Sequence, residues 1–171
     1  MPFHSVDLSD FESGDFPGFR LNCGDLGPAL NAQCGVSVSG TGDVNGDNIT
    51  DIFVGAPTYN TVGAAFLTYG STSRPASALI LDLMIDNTNN QGFALLGSGS
   101  ASGAGQTVSI IGDFNKDGRD DMAVTSYLNS KVMVVLGDLT GDAETLLLQS
   151  ISNSNGFTIT GGADQRVGYS L

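Results

Sequence analysis

The sequence repeats itself, and this repetition restricts the fold more than any other feature of the chain. A Gly-Asp pair at residues 42–43 opens an acidic segment that returns 70 positions later, at residues 112–113. Gly-Phe pairs mark a second anchor at residues 18–19, 92–93 and 156–157. A chain of similar units stacks them so that each unit buries its hydrophobic face against a neighbour. The predicted units are residues 5–73, residues 76–138 and an incomplete third unit at 142–171.

Each copy alternates short apolar runs with glycine-rich turns, which is typical of β-strands. The chain has 24 glycines in 171 residues, and no segment keeps a helical period beyond two turns. Only the stretch from Ser77 to Ile85 is ambiguous. Four short antiparallel strands per unit are typical of a β-propeller blade, so we predict an all-β fold with about two full blades and part of a third. The predicted strands are residues 18–22, 36–38, 51–54 and 65–69 in the first copy, and 93–96, 107–111, 121–124 and 131–136 in the second.

An acidic loop lies between the second and third predicted strands of each copy, at residues 43–51 and 113–121. Both loops have the pattern D-x-N-x-D-x-x-x-D. Side-chain oxygens at positions 1, 3 and 5 of a tight turn converge, the carbonyl at position 7 adds an oxygen, and the carboxylate at position 9 closes the shell. Such all-oxygen sets suit Ca²⁺, so we predict two calcium sites per chain. The predicted ligands are Asp43, Asn45, Asp47, Ile49 and Asp51, and in the second loop Asp113, Asn115, Asp117, Arg119 and Asp121.

The loops are not EF-hands, although the first half of their spacing is similar. Position 12 is Val54 in one loop and Val124 in the other, where an EF-hand has a bidentate Glu. The flanking segments are also predicted strands instead of helices. A simpler interpretation is that both loops are Asp- and Asn-rich turns without a metal. The recurrence of the same ligand types in register favours the metal.

The charge balance restricts the partners of the chain. Asp and Glu number 18 against 6 Lys and Arg, which gives a formal net charge of −12. Such a chain repels nucleic acid and anionic lipid, so neither is an expected partner. We also expect no membrane insertion, because no run of 18 apolar residues occurs. The N-terminus does not resemble a signal peptide, although a secreted parent could have lost its leader.

The two cysteines do not decide whether the chain folds in an oxidising or a reducing compartment. Cys23 and Cys34 flank a segment that contains Gly and Pro. A local disulfide would form in an oxidising compartment, and free thiols would persist in a reducing one. The spacing does not match a redox pair, and no further Cys or nearby His could complete a zinc site.

The sequence around the first loop resembles the FG-GAP repeats of integrin α-subunit propellers and of secreted microbial proteins. The resemblance is carried by G-D-V-N-G-D at residues 42–47 and by D-I-F-V-G-A-P at residues 51–57. Two features depart from the family pattern. Cys34 and Ala104 stand where the family has the Phe of its Phe-Gly, and Thr125-Ser126-Tyr127 replaces Gly-Ala-Pro in the second copy.

The resemblance implies an extracellular, seven-bladed propeller used for recognition, in which the Gly-Phe strand is the outer strand of the preceding blade. Two blades and a part do not close a ring. Either the chain belongs to a longer protein that supplies the remaining blades, or several copies close a ring as a homo-oligomer. In the second case residues 166–171 of one copy would pair with the incomplete blade of a neighbour.

The expected function is that of a structural or recognition scaffold, of the cell-adhesion type, in a secreted or cell-surface protein. Its ligand, a protein or a glycan, is not identified by the sequence. The alternative is the propeller part of a secreted hydrolase or lyase that acts on glycans or lipids. Catalytic residues are scarce, since His4 is the only His, no G-x-S-x-G motif occurs, and Glu12 and Glu144 are the only Glu residues. We therefore expect no enzyme activity. Calcium sensing is a further alternative, but no helix pair is available to open.

Overall fold

Eleven short strands and three 3-10 turns form the regular structure of the described part of the chain. The computed structural model describes residues 19–22, 32–72, 79–82, 92–99, 102–137, 145–162 and 167–171. The 3-10 turns are Tyr59–Thr61, Tyr127–Asn129 and Leu148–Ser150. The strands are β1 Phe19–Asn22, β2 Val38–Gly42, β3 Asp51–Ala56, β4 Ala64–Thr68, β5 Leu79–Asp82, β6 Gly92–Leu96, β7 Ala104–Gly112, β8 Asp121–Ser126, β9 Lys131–Val135, β10 Thr145–Leu147 and β11 Gly156–Thr160.

Two sheets contain most of these strands, and the predicted all-β class is confirmed. The first sheet has the order β10-β6-β4-β3-β2, and the second has the order β11-β9-β8-β7. In both sheets four consecutive neighbours pair antiparallel, which is the predicted number. Three of the four strands come from one predicted unit and the fourth comes from the next unit. The first sheet also has a fifth strand that was not predicted, β10, which pairs parallel with β6. A separate two-stranded sheet joins β1 and β5 in parallel.

The predicted strands agree with the observed ones except at the second strand of the first copy. That strand was predicted at residues 36–38, but β2 begins only at Val38. The backbone turns before it, because Gly35 has a φ of 84° and the Val36 N–H donates to the carbonyl of Gln33 at 3.3 Å. Residues 35–37 nevertheless lie beside β3, since the N–H of Gly55 donates to the carbonyl of Ser37 at 2.8 Å. In the ambiguous stretch the structure places β5.

The second and third Gly-Phe pairs begin the last antiparallel strand of each sheet. β6 pairs with β4, and β11 pairs with β9, so these two Gly-Phe strands join the sheet of the unit before them, as the resemblance implies. A Cβ atom at Gly92 would collide with the carbonyl oxygen of Leu67, and one at Gly156 would collide with that of Val134. Close backbone approach therefore explains why glycine recurs at this position. The first Gly-Phe pair begins at residue 18, which lies outside the described residues.

The main hydrophobic core lies between the two sheets. Its members alternate along the strands with residues on the opposite faces, as the pleat of a sheet requires. The sheets approach closely enough that a Cβ atom at Gly55 would meet the carbonyl oxygen of Gly105. A second cluster covers the other face of the first sheet and contains Val54, Ala56, Ala64, Phe66 and Ala94. The main core contains Phe53, Leu67, Phe93 and Leu95 from the first sheet and Val108, Ile110, Met122, Val124, Met133 and Val135 from the second.

We predict that Gly92→Ala and Gly156→Ala destabilise the fold, whereas Gly40→Ala does not. The first two changes force a methyl group into a backbone carbonyl, and overpacking of this kind costs about 1–3 kcal/mol. A Cβ atom at Gly40 would meet only ordinary contacts, 3.8 Å from the Asp51 oxygen and 4.0 Å from Ile52. Urea unfolding of the three variants measures the difference. Equal midpoints for Gly92→Ala and Gly40→Ala would contradict this account of the Gly-Phe anchor.

Candidate metal centres

The two acidic loops have the same backbone shape. They connect β2 to β3 and β7 to β8, and positions are numbered here from the first Asp of each loop. Position 4 has a positive φ in both loops, 78° at Gly46 and 64° at Lys116. Position 6 does as well, with 63° at Asn48 and 91° at Gly118. A left-handed backbone at these two positions bends each loop tightly, and the bend is retained even where the residue is not glycine.

In the first loop the side chains of positions 1, 3 and 5 converge on the loop backbone. The N–H of Asp47 donates to Oδ1 of Asp43 and to Oδ1 of Asn45, both at 3.0 Å. Asp43 also accepts the N–H of Gly46 at 2.7 Å and that of Asn48 at 2.6 Å. The side-chain amide of Asn45 donates to Oδ2 of Asp47 at 3.0 Å. The structure therefore brings three of the predicted ligands together.

The second loop repeats four of these five hydrogen bonds. The N–H of Asp117 donates to Oδ1 of Asp113 and to Oδ1 of Asn115, both at 3.0 Å. Oδ2 of Asp113 accepts the N–H of Gly118 at 3.0 Å. The side-chain amide of Asn115 donates to Oδ2 of Asp117 at 2.6 Å. Two loops with different residues at positions 2, 4 and 6 thus share one side-chain geometry.

Position 7 contributes its N–H group to this network. The N–H of Ile49 donates to Oδ1 of Asp47 at 2.8 Å, and the N–H of Arg119 donates to Oδ1 of Asp117 at 2.9 Å. The predicted role of these residues depends on their carbonyl groups instead. That role stays a prediction.

Position 9 of the first loop is a buried anchor. The side chain of Asp51 has no solvent exposure (0%). Its Oδ2 accepts the N–H of Val44 at 2.7 Å, and its Oδ1 accepts the N–H of Gly70, just beyond β4, at 2.8 Å. The carboxylate therefore ties the start of the loop to the end of β4. The sequence pattern identified Asp51 as a ligand and gave no sign of this structural role.

Asp121 is the same anchor in the second loop, and it is equally buried (0% exposed). Its Oδ2 accepts the N–H groups of Phe114 at 2.9 Å and of Asn115 at 3.3 Å. Its Oδ1 accepts the N–H of Gly137, just beyond β9, at 2.9 Å. The ligand set of positions 1, 3 and 5 and the anchor at position 9 are joined through the loop backbone.

Negative charge is crowded around the first loop. Burial raises the pKa of the Asp51 carboxyl above its ordinary value, although its bonds from Gly70 and Val44 oppose the shift. The charges of Asp43 and Asp47 raise that pKa further. A positive charge placed among these groups would reduce this repulsion.

The donor set determines which ion the loops suit. In the described part of the chain, no group of three or more His, Cys, Asp and Glu side chains is placed to hold a metal by itself. Positions 1 and 5 supply two carboxylates, and position 3 supplies a side-chain amide. The carboxylate of position 9 accepts backbone N–H groups. An ion bound here would use amide and main-chain oxygens together with carboxylates. Such mixed oxygen sets fit calcium chemistry.

A family model matches the first of these loops with its flanking strands. The match is to the FG-GAP repeat and covers residues 35–71, from the turn at Gly35 through β2, the first loop, β3 and β4. This segment is an FG-GAP repeat. A comparison with curated proteins finds no relative of the chain. The hydrogen bonds of the FG-GAP repeat recur around the second loop, beyond the matched residues.

One residue that the sequence pattern missed joins the second loop to the FG-GAP repeat. Asp120, at position 8 of the second loop, accepts the N–H of Asp43 through Oδ2 at 2.8 Å. The N–H of Asp120 donates to the carbonyl of Asp43 at 2.9 Å. The equivalent residue in the FG-GAP repeat is Thr50. The signal in the sequence that could have identified Asp120 was its carboxylate, which the repeated pattern does not require at position 8.

A polar cleft of about 280 Å³ lies apart from both loops. It is found beside the turn between β8 and β9, and no residue of the FG-GAP loop or of its copy lines it. Among the described residues, its lining contains one charged side chain, Lys131, and no acidic residue, His or Cys. The lining residues are Gly97, Ser98, Ser126, Asn129, Lys131, Met133, Leu148, Gln149, Ile151, Thr158 and Thr160.

Cys34, just before the FG-GAP repeat, is disulfide-bonded. The sequence has one other cysteine, Cys23, which lies outside the described residues. None of the helical turns in the described part of the chain has the length and apolarity that a membrane crossing requires.

We predict that Asp121→Asn destabilises the fold even when calcium is chelated. An amide offers one acceptor oxygen in place of two, so a buried backbone N–H of the second loop or of Gly137 loses its partner. An unsatisfied buried donor costs about 1–3 kcal/mol. Asp117→Asn is the matched control, because its side chain is exposed, and we expect its urea midpoint in chelator to equal that of the unmodified chain. If both variants unfold at that same midpoint, the anchoring role of Asp121 is wrong.

Proposed function

We propose that this chain is a calcium-binding module of the β-propeller type and that it acts as a structural or recognition scaffold. The observation that carries the proposal is the repeated loop, in which positions 1, 3 and 5 converge through identical hydrogen bonds in both sheets. The first of these loops lies in an FG-GAP repeat. Turns without a ligand have no need to keep the same acid, amide and acid at the same three positions.

Calcium would be held by the side chains of positions 1, 3 and 5 and by the carbonyl of position 7. The carboxylate of position 9, the remaining predicted ligand, would use the oxygen lone pairs that its backbone N–H partners leave free. Its chemistry here is electrostatic: it cross-links the loop and offsets the repulsion between carboxylates. Two bound ions would reduce the formal net charge of the chain from −12 to −8. The pKa of the Asp51 carboxyl, raised by burial and by nearby Asp charges, is consistent with a loop that gains stability from a cation.

The exposed face of the second sheet supports the propeller arrangement. In the first sheet the side chains of Phe93 and Leu95 are 4% and 0% exposed, because the second sheet covers them. The equivalent residues of the second sheet, Phe157 and Ile159, are 36% and 49% exposed. A further unit of the same kind would cover this face. It would come from a longer parent chain or from another copy in a homo-oligomer, and the proposal holds for either source.

We propose a scaffold instead of an enzyme because the described acidic side chains serve the loops. In residues 32–72 and 102–137 every Asp lies in one of the two loops, and these segments contain no Glu or His. The partner of such a scaffold would be a protein or a glycan. A hydrolase or lyase acting on glycans or lipids stays the alternative, and no feature of the described residues favours it.

An extracellular or cell-surface location is part of the proposal. The disulfide bond of Cys34 supports it, because disulfides persist in oxidising compartments. FG-GAP repeats occur in extracellular and surface proteins, and residues 35–71 are such a repeat.

Calorimetric titration of the purified chain with calcium tests the proposal. We expect two binding sites, of which Asp47→Asn removes one, Asp117→Asn removes the other, and the double variant removes both. Binding to the native state stabilises it by about 2.7 kcal/mol at a ligand concentration 100 times Kd. Thermal unfolding with and without calcium should therefore differ for the unmodified chain and not for the double variant.

Thr50→Ala is the matched control for this titration. Thr50 lies in the first loop, is exposed, and is not a predicted ligand. Its variant should keep both sites. An unmodified chain that neither binds calcium nor unfolds later in its presence would refute the proposal, and the loops would then be turns.

A further inference from the structure

The two loops are in direct contact, although they belong to different sheets. Asp120 of the second loop and Asp43 of the first exchange two hydrogen bonds. Oδ2 of Asp120 accepts the N–H of Asp43 at 2.8 Å, and the N–H of Asp120 donates to the carbonyl of Asp43 at 2.9 Å. Asp43 occupies position 1 of its loop, so its main chain and its predicted ligand side chain are fixed together.

Other contacts surround this pair. A Cβ atom at Gly46 would lie 3.5 Å from Cγ and 3.6 Å from Nε of Arg119, which places the Arg119 side chain along the first loop. A Cβ atom at Gly137 would lie 2.9 Å from the carbonyl oxygen of Val44 and 3.0 Å from Cβ of Arg119. Gly137 is also the residue that donates to the anchor Asp121. Position 1 of the first loop thus bonds to position 8 of the second, position 4 lies against position 7, and position 2 lies against Gly137, a partner of the anchor.

We propose that Asp120 couples the two loops, so that a cation in the second loop increases the affinity of the first. This inference rests on the proposed function. In the second loop Asp120 lies between Arg119 and Asp121, two predicted ligands. A cation that fixes both also fixes the carboxylate and the N–H group that hold Asp43. By linkage, a cation in the first loop increases the affinity of the second by the same factor.

The charge of Asp120 contributes in the same direction. Two divalent ions in neighbouring loops repel each other, and this repulsion would make the second binding event weaker than the first. A carboxylate that lies between the loops reduces the repulsion. The first loop offers no equivalent on its other side, because position 8 there is the exposed Thr50. The coupling therefore belongs to this pair of loops and to Asp120 in particular.

A thermodynamic cycle measures the coupling. Asp117→Asn empties the second loop without touching the first, and calorimetry then gives the calcium affinity of the first loop alone. We expect that affinity to fall at least about fivefold when the second loop is emptied, since couplings between sites are commonly about 5- to 150-fold. In the Asp120→Ala background, emptying the second loop should change the affinity of the first by less than about twofold, because the coupling is lost.

Two variants separate coupling from simple damage to the structure. Asp120→Asn keeps an oxygen that can accept the N–H of Asp43, so it should retain part of the coupling that Asp120→Ala loses. Thr50 is the residue of the first loop that corresponds to Asp120, and Thr50→Ala should leave the coupling unchanged. A mere loss of stability in Asp120→Ala would weaken binding in general and would not remove the dependence of one loop on the other.

Amide hydrogen exchange provides a readout that does not need an ion in the first loop. In Asp47→Asn calcium fills only the second loop, and we expect the amides of Gly46 and Asn48 to exchange more slowly when it does. In Asp47→Asn with Asp120→Ala this slowing should disappear. If two ions bind and the first-loop affinity is the same with the second loop full or empty, the coupling is wrong and the proposed function stands. If the unmodified chain binds no calcium, both are wrong.

Discussion

The buried carboxylate at position 9 is the interaction on which the rest of each loop depends. Asp51 and Asp121 have no contact with solvent, and each accepts a backbone N–H at the start of its own loop. Asp51 also accepts one just beyond β4, and Asp121 accepts one just beyond β9. Hydrogen bonds to a buried ionised group are strong, and losing a partner is costly. The anchor therefore fixes where the loop begins relative to the sheet. Within the loop fixed in this way, positions 1, 3 and 5 converge through their own hydrogen bonds.

Most of the fold could be predicted because the repeated residues act locally. The glycine of the Gly-Phe pair is required wherever an outer strand approaches a carbonyl, and it recurs at Gly92 and Gly156 for that reason. The acidic pattern likewise specifies its own Asx-type bonds within five residues, so the loop at 113–121 could be predicted from the loop at 43–51. Structural features that depend only on nearby residues recur wherever the same short sequence recurs.

The features that could not be predicted depend on residues far apart in the chain. The sequence identified Asp51 as a ligand, but its bond to Gly70 spans 19 positions. Asp120 has no counterpart in the first loop, where position 8 is Thr50. Its side chain bonds to the backbone of Asp43, which lies 77 positions away. The parallel strand β10 was missed because its pairing with β6 crosses from one unit into the sheet of another. The displaced start of β2 depends on the turn at Gly35, which a three-residue alternation cannot reveal.

In the proposed function, calcium would join these local and distant interactions. One ion per loop would hold positions 1, 3, 5 and 9 around a single point. Asp120 would couple the second loop to the first through its bonds to Asp43. The most direct test is a native mass spectrum of the purified chain, recorded before and after chelation. We expect a mass increase of two calcium ions per chain that chelation removes. A chain that retains no calcium in either state would contradict it.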